Sequence, residues 1–307
     1  MKTVKAVVGM LNNANDEILI AKRQAHQFMG GHWELPGGKI EDNETPEDSL
    51  KRELLEELGI EVSACSLYQR MRHCYPDRVV ELWIYRVEHY QGEPIGAEGQ
   101  AIDWCQPKRL LNYQLLPTMN AFIHKLTLPS QYWITPALGS DHQAWMAQLE
   151  QRLMSGIKLI QLRSKVPVNS HIIDEVYNKC TQYNAKLLIN LPHKNFREPL
   201  ADGWHLTSAE VQTFSQRPCT QAQLLGASAH TLEQALRAQD LGVDFVLISP
   251  IKSTTSHPDT TPIGWEAGRQ VADALNIPVY FLGGLSASDL PQAQSCGAQG
   301  IAGISKL

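Results

Sequence analysis

Residues Gly38 to Ile60 read GKIEDNETPEDSLKRELLEELGI, and their spacing specifies a capped helix with a charged working face. Thr45-Pro46-Glu47-Asp48 is a helix start: a hydroxyl cap, proline at the first helical position, and acids beside the positive end of the helix dipole. Leu50, Leu54 and Leu58 recur every four residues and, with Leu55 beside them, predict the buried stripe. Glu53, Glu56 and Glu57 stand at i, i+3 and i+4, so they share an arc of about 100° on another face. Gly59 suits the C-terminal cap. Three neighbouring carboxylates repel by roughly 0.2–0.5 kcal/mol per close pair on an exposed helix, and a cation removes that repulsion. Oxygen-only ligands favour Mg²⁺, with Mn²⁺ as a substitute, over zinc. Arg52 is placed to orient Glu53 or Glu56.

At 307 residues the chain exceeds one typical domain, and 43% hydrophobic content is ordinary for globular proteins, so two cores are expected. No stretch approaches the ~18 consecutive apolar residues of a membrane helix. The start MKTVKAVVGMLNNAND is too short and polar for a secretory signal, which predicts a cytoplasmic protein with no membrane partner. Six cysteines (Cys65, Cys74, Cys105, Cys180, Cys219 and Cys296) are scattered without C-x-x-C pairing and read as reduced structural thiols. A net charge of −5 with no basic run argues against duplex nucleic acid.

Strand signals in the first half cover Thr3 to Leu11, Glu17 to Arg23 and Val79 to Glu88, with an amphipathic segment near Pro117 to Leu126. They predict an α+β sandwich: a mixed sheet with flanking helices, over residues 1–128. Leu126 to Gln131 reads as a linker punctuated by Pro129. Thereafter short apolar strands alternate with helical stretches: Tyr132 to Thr135, Leu159 to Arg163, Leu187 to Asn190, Gly203 to Leu206, Leu225 to Ser228, Phe245 to Ser249, Val279 to Gly283 and Gly300 to Ile304. That rhythm predicts a (β/α)8 TIM barrel over residues 132–307. The sequence stops at Leu307, which implies a barrel lacking its last helix and an α/β protein overall.

Gly38, Glu44, Arg52, Glu53, Leu54, Glu56, Glu57, Gly59 and Ile60 fit every fixed position of the Nudix box, G-x5-E-x7-R-E-U-x-E-E-x-G-U with U aliphatic. Together with Arg23, the run Glu34-Leu35-Pro36-Gly37-Gly38-Lys39, Tyr75-Pro76-Asp77-Arg78, Leu82-Trp83 and Glu98-Gly99-Gln100, this half resembles the MutT-type 8-oxo-dGTP diphosphatases. The resemblance implies an α/β/α Nudix sandwich. It also implies a metal site from Gly37, Gly38, Glu53, Glu56, Glu57 and Glu98. Glu53 is then the first choice for the base, with Glu98 second and Arg52 in support. Nucleotide contacts would come from Arg23, Phe28, Glu34, Leu35, Tyr75, Arg78 and Met119 or Asn120, where the family's base-reading Asn falls. Leu35 and Phe28 replace aromatic and His side chains common in that pocket.

From Tyr132 onward the chain is similar to thiamine phosphate synthase and its TenI-type relatives. The similarity rests on Gln161-Leu162-Arg163-Ser164-Lys165, Ile189-Asn190, Asp202-Gly203-Trp204-His205-Leu206, Gly226-Ala227-Ser228-Ala229-His230-Thr231, Ser249-Pro250, Gly283-Gly284 and Ile304-Ser305. It implies a second ligand site from Gln161, Arg163, Lys165, Asn190, Glu210, Ser228, His230, Gly284 and Ser305. The synthase's Asn-Asp-Arg run is replaced by Asn190-Leu191-Pro192, and its Thr-x-Thr-Lys by Thr254-Thr255-Ser256-His257. Those changes remove a magnesium carboxylate and a lysine from the pyrophosphate leaving group, so the barrel is expected to be a degenerate synthase.

The combined expectation is a Mg²⁺-dependent nucleoside triphosphate pyrophosphohydrolase converting 8-oxo-dGTP and water to 8-oxo-dGMP and pyrophosphate. Such chemistry cleanses the nucleotide pool and avoids mutation during DNA replication and repair. Two alternatives stay open. One is a thiamine-pathway Nudix pyrophosphatase coupled to a synthase or tautomerase barrel; the other is a barrel that only binds a ligand such as a thiamine-precursor phosphate.

Overall fold

Helix α1 (Pro46–Leu58) forms as its sequence requires. The Thr45 side chain accepts from Asp48 N, Pro46 opens the first turn, and Gly59, at φ 68°, closes the last. Its buried stripe is Leu50, Leu54 and Leu58, all at 0% exposure. Leu55 departs from expectation, being 49% exposed. At 100° per residue it projects about 60° beyond Leu58, past the edge of the stripe. Ser49 is buried instead, and its hydroxyl donates to Lys39 O at 3.3 Å.

The structure, a computed structural model, describes residues 2–75, 77–139, 141–192, 201–254, 261–305 and 307, with the side chains of Cys74, Lys108, Leu111, Asn120 and Ala121 outside the description. The chain divides into two compact units, Met1–Thr127 and Leu128–Leu307.

In the first unit the strands are β1 (Lys2–Met10), β2 (Ile18–Lys22), β3 (Trp33–Glu34), β4 (Gly37–Lys39), β5 (Glu61–Cys74), β6 (Arg78–Gln91) and β7 (Ile102–Cys105). They make a mixed sheet in the order β4-β1-β6-β5, with β1 and β6 parallel, and an antiparallel sheet β3-β2-β7. Alternation along β1 sends Val7 into a core with Leu50, Leu54 and Leu58, while Val8 and Met10 join Phe122 and Ile123 of α2 (Pro117–Thr127). The helix–sheet–helix sandwich follows. Strand β5 was not anticipated. It is a half-exposed edge strand whose register shifts near Ala64 and Leu67 break the two-residue alternation.

The second unit is a closed parallel barrel of eight strands, matching the expected fold. In chain order they are β8 (Gln131–Ile134), β9 (Leu159–Arg163), β10 (Lys186–Asn190), β11 (Gly203–Leu206), β12 (Leu224–Ala229), β13 (Phe245–Ile248), β14 (Val279–Phe281) and β15 (Gly300–Gly303). The helices are α3 (His142–Met154), α4 (Ser170–Gln182), α5 (Ser208–Thr213), α6 (Leu232–Asp240), α7 (Gly264–Ala274) and α8 (Leu290–Ser295). Tyr132, Phe245 and Tyr280 fill the interior with edge-on and tilted ring contacts 5.4–5.7 Å apart, beside buried His205. The expected linker is shorter than read. Helix α2 runs to Thr127, Leu128 is buried in the barrel cluster, and Pro129 O accepts from the Tyr280 hydroxyl. Cys65, Cys105, Cys180, Cys219 and Cys296 are free thiols. Among the described residues no helix is long and apolar enough to cross a membrane.

Leu54→Ala is expected to destabilise the first unit by about 2–5 kcal/mol, because a buried leucine leaves a cavity. Leu55→Ala should stay within about 0.5 kcal/mol, as for other surface substitutions. Calorimetric unfolding of the full chain checks both; a costly Leu55→Ala would contradict the azimuth assigned to it.

Candidate active site

The carboxylates of α1 fan outward from its buried stripe. Relative to Leu50, Glu57 projects about 20° away, Glu53 about 60° and Glu56 about 120°. Burial follows that order. The Glu57 carboxyl is pushed up to about 7, first by burial and then by the Glu34, Glu53 and Glu98 charges, against the pull of a hydrogen bond from Gly37 N at 2.9 Å. Burial also raises Glu53, whereas Glu56 stands at the solvent edge.

Arg52 restrains this charge. Its guanidinium grips Glu44 at 2.7 and 2.8 Å and reaches Glu53 at 2.9 Å and Glu56 at 3.2 Å. The grip on Glu44 holds that carboxyl down to about 2. The two glycines before the helix answer separate needs. Gly37 sits at φ 140°, where a Cβ would lie 2.2 Å from Val7 O; a Cβ on Gly38 would lie 2.2 Å from Glu53 Oε2. Gly38 therefore vacates the space that the Glu53 carboxylate occupies.

A polar cleft gathers Arg23, Glu34, Glu57 and Glu98 with Gln24, Gln27 and Gln100. Glu98 rides on a turn closed by Gly99 N to Gly96 O at 2.9 Å, and Ala97 N donates to Glu57 O at 2.9 Å. The turn is thus fastened to the C-terminal end of α1. Arg23 pairs with Glu34, and its Nε donates to Phe28 O at 2.8 Å. Burial still pushes the Glu34 carboxyl up despite this partner. Gln24 and Gln100 had no signal in the spacing of the sequence, since each reaches a segment far along the chain, Glu98 and Glu57 respectively.

Phe28, Tyr75 and Arg78 come together: the rings are 5.7 Å apart edge-on, and the Arg78 guanidinium lies 4.2 Å over Phe28. His73, its Nδ1 buried without a partner among the described residues, packs 4.6 Å from the Tyr75 ring. Leu35 and Met119 are placed differently from the other expected contacts. At 0% and 3% exposure they belong to the core behind this cluster, because both are apolar and point between sheet and α2. The Asn120 side chain lies outside the described residues.

At the barrel's C-terminal strand ends, Gln161 is buried with its Oε1 unpartnered, and Arg163 N donates to Thr135 Oγ1 at 3.1 Å. Asn190 O accepts from Ser164 N at 3.2 Å, and Lys165 and Ser305 are exposed. Ser228 bonds His205 Nε2 at 2.8 Å. His230 Nδ1 lies 3.0 Å from Ser249 O; a carbonyl only accepts, so Nδ1 carries the proton and a neutral ring offers Nε2. Gly284, at φ 65°, has Ser253 O 2.3 Å from where a Cβ would stand. Glu210 is not a spare carboxylate: its Oε2 accepts from Thr207 N at 2.7 Å and Thr207 Oγ1 at 2.9 Å, completing the capping box of α5. Leu191 is buried in the barrel core, and Thr255, Ser256 and His257 lie outside the described residues.

Among the described residues no three His, Cys, Asp or Glu side chains close on one point. Glu53 and Glu56 each give an oxygen to Arg52, and Glu57 gives one to Gly37 N. The first unit's donor set nevertheless fits a hard divalent cation, since it is all oxygen and its inner member is pushed toward protonation first by burial and then by the neighbouring carboxylates. The barrel's expected set offers less, with Leu191 buried in the core and Glu210 committed to a cap.

The NUDIX domain family model matches residues 7–125, and that of thiamine monophosphate synthase matches residues 131–307. An 8-oxo-dGTP diphosphatase of Escherichia coli (strain K12) is 45% identical over 104 residues, covering 34% of this chain and 81% of that protein. A CTP pyrophosphohydrolase of the same organism is 34% identical over 117 residues, covering 38% and 86%. A provisionally named thiamine-phosphate synthase 2 of Aquifex aeolicus (strain VF5) is 35% identical over 183 residues, covering 59% and 98%. Both matches reach nearly the full length of a relative, and the chain belongs to the NUDIX family through its first unit and to the thiamine monophosphate synthase family through its second.

Proposed function

We propose that the first unit is a divalent-metal-dependent nucleoside triphosphate pyrophosphohydrolase whose preferred substrate is 8-oxo-dGTP, yielding 8-oxo-dGMP and pyrophosphate. The observation that carries this reading is the cleft where Glu57 and Glu98 meet Arg23 and Glu34 beside the Glu53–Arg52 pair. The 45% identity to an 8-oxo-dGTP diphosphatase supports the choice of nucleotide. When bound, Mg²⁺ or Mn²⁺ supplies charge neutralisation on the phosphate oxygens and polarises water. Glu53, Glu56, Glu57 and Glu98, with the Gly37 carbonyl, would hold it. Glu53 takes the proton of the attacking water, Glu98 is the second candidate, and Arg52, bonded to Glu53, partly offsets the upward push of burial on that carboxyl and aims it. Phe28, Tyr75 and Arg78 offer the nucleotide an aromatic and cationic surface.

The second unit, in this reading, binds a phosphate-bearing thiamine precursor without making thiamine phosphate efficiently. Gln161, Arg163, Gly284 and the strand-end amides remain for a phosphate. Leu191 and the capping role of Glu210 remove the carboxylates that would hold a cation against the leaving group, the effect that usually dominates such chemistry.

Three outcomes follow. Glu53→Gln and Glu57→Gln should each lower hydrolysis by at least about 10²-fold with melting behaviour retained, because each removes metal charge; near-wild-type turnover in both would defeat the site. The kcat/KM for 8-oxo-dGTP should exceed that for dGTP in a steady-state comparison. Equal values with strong turnover of a thiamine-pathway pyrophosphate would favour the alternative substrate class. Thiamine phosphate should raise a melting transition of the full chain with the logarithm of its concentration, while the gene fails to rescue a strain lacking the synthase. A flat titration or robust rescue would each contradict the barrel reading.

A further inference from the structure

Glu98 is an exposed acid on a surface turn, yet its backbone N–H and C=O are both held by glutamine side chains, one two residues along the turn and one from a distant segment. Gln100 Oε1 accepts from Glu98 N at 2.9 Å, and its Nε2 donates to Glu57 O at 2.7 Å. The two partners are a backbone donor and a backbone acceptor, so they fix which end of the amide is which. From the other side Gln24 Nε2 donates to Glu98 O at 2.6 Å. Gln24 is itself braced, its N–H donating to Gln27 Oε1 at 3.0 Å. It follows directly on Arg23, which carries the Phe28 carbonyl and Glu34.

We propose that Gln24 and Gln100 are positioning residues that fix the Glu98 backbone between the nucleotide-facing loop and the end of α1. This rests on the reading of Glu98 as a carboxylate of the hydrolytic site. The physical need is specific. Glycines Gly96 and Gly99 flank Glu98, and Gly99 stands at φ 82°, so the turn has little stiffness of its own. Hydrogen bonds to the two peptide groups that flank Glu98 confine its Cα, leaving only its side-chain torsions to order when substrate arrives. Gln100 also ties the Glu98 N–H to the carbonyl of Glu57, so the two carboxylates share one rigid reference. Gln24 adds a link to the loop that carries Phe28, through which nucleotide contact can bear on the placement of Glu98.

The test is a double-mutant cycle in the full chain. Gln100→Leu and Gln24→Leu should each lower kcat at least about 10-fold with KM changed less than about 3-fold, since misplacing a catalytic group by an ångström costs up to about 10²-fold. In the Glu98→Gln background the same substitutions should cost less than about 2-fold more, because residues acting through one group are not additive. Losses that remain fully additive would assign the glutamines a merely structural role and overturn the proposal, as would wild-type kcat in both single variants. Gln24→Leu alters a loop side chain outside the core, so it keeps the test decisive if Gln100→Leu fails to fold. Should Glu98→Gln itself turn over at the wild-type rate, the reading of the hydrolytic site falls and the clamp with it. A slow Glu98→Gln beside unaffected glutamine variants removes the clamp alone.

Discussion

Concentrated negative charge on one helix face is the constraint around which the first unit is arranged. Glu53, Glu56 and Glu57 cannot be separated, because the helical repeat that buries Leu50, Leu54 and Leu58 also sets their azimuths. Arg52 offsets part of the repulsion through Glu44, Glu53 and Glu56, yet Glu57, deepest in the fan, is left with a carboxyl raised to about 7. A group in that condition gains from any hard cation that reaches it. Gly38 gives Glu53 room, Gly37 donates to Glu57, and the Glu98 turn is fastened to the end of the same helix. Each of these features loses its purpose if the charge is removed.

The second unit is organised around a closed barrel instead. Eight parallel strands close around aromatic rings, and Gly283 and Gly284 allow close backbone packing against Pro250 and Ser253 at the strand ends. Leu191 is buried with the core, and Glu210 satisfies the first turn of a six-residue helix. Retention of Gln161 with an unpartnered buried oxygen is costly unless a ligand or water completes it.

Helix α1 was legible to its caps because hydroxyl, proline, acids and glycine each act locally, and the barrel strands were legible because burial on both faces makes them continuous apolar runs. Edge strand β5 was not, since EVSACSLYQRMRHC mixes polar and apolar residues on its open face and shifts register between Val62 and Ala64, Ala64 and Cys65, and Leu67 and Gln69. Strands β3 and β4, of two and three residues, sit in a glycine-rich stretch that offers no period to read. Leu55 was misplaced because spacing by leucine type ignored its azimuth. In the site, the box marked Glu53, Glu56 and Glu57 directly, whereas Glu98 came only through resemblance. Gln24 acts across 74 residues, a relation that no local pattern encodes.

The central claim is that the α1 carboxylate face binds a divalent cation, and a Mn²⁺ titration of the full chain followed by electron paramagnetic resonance tests it most directly. The account predicts a saturable loss of the free Mn²⁺ signal, reversed by excess Mg²⁺ and strongly weakened in a Glu53→Gln/Glu57→Gln double variant. Mn²⁺ that stays free, or that the double variant binds as well as the wild type, would contradict it.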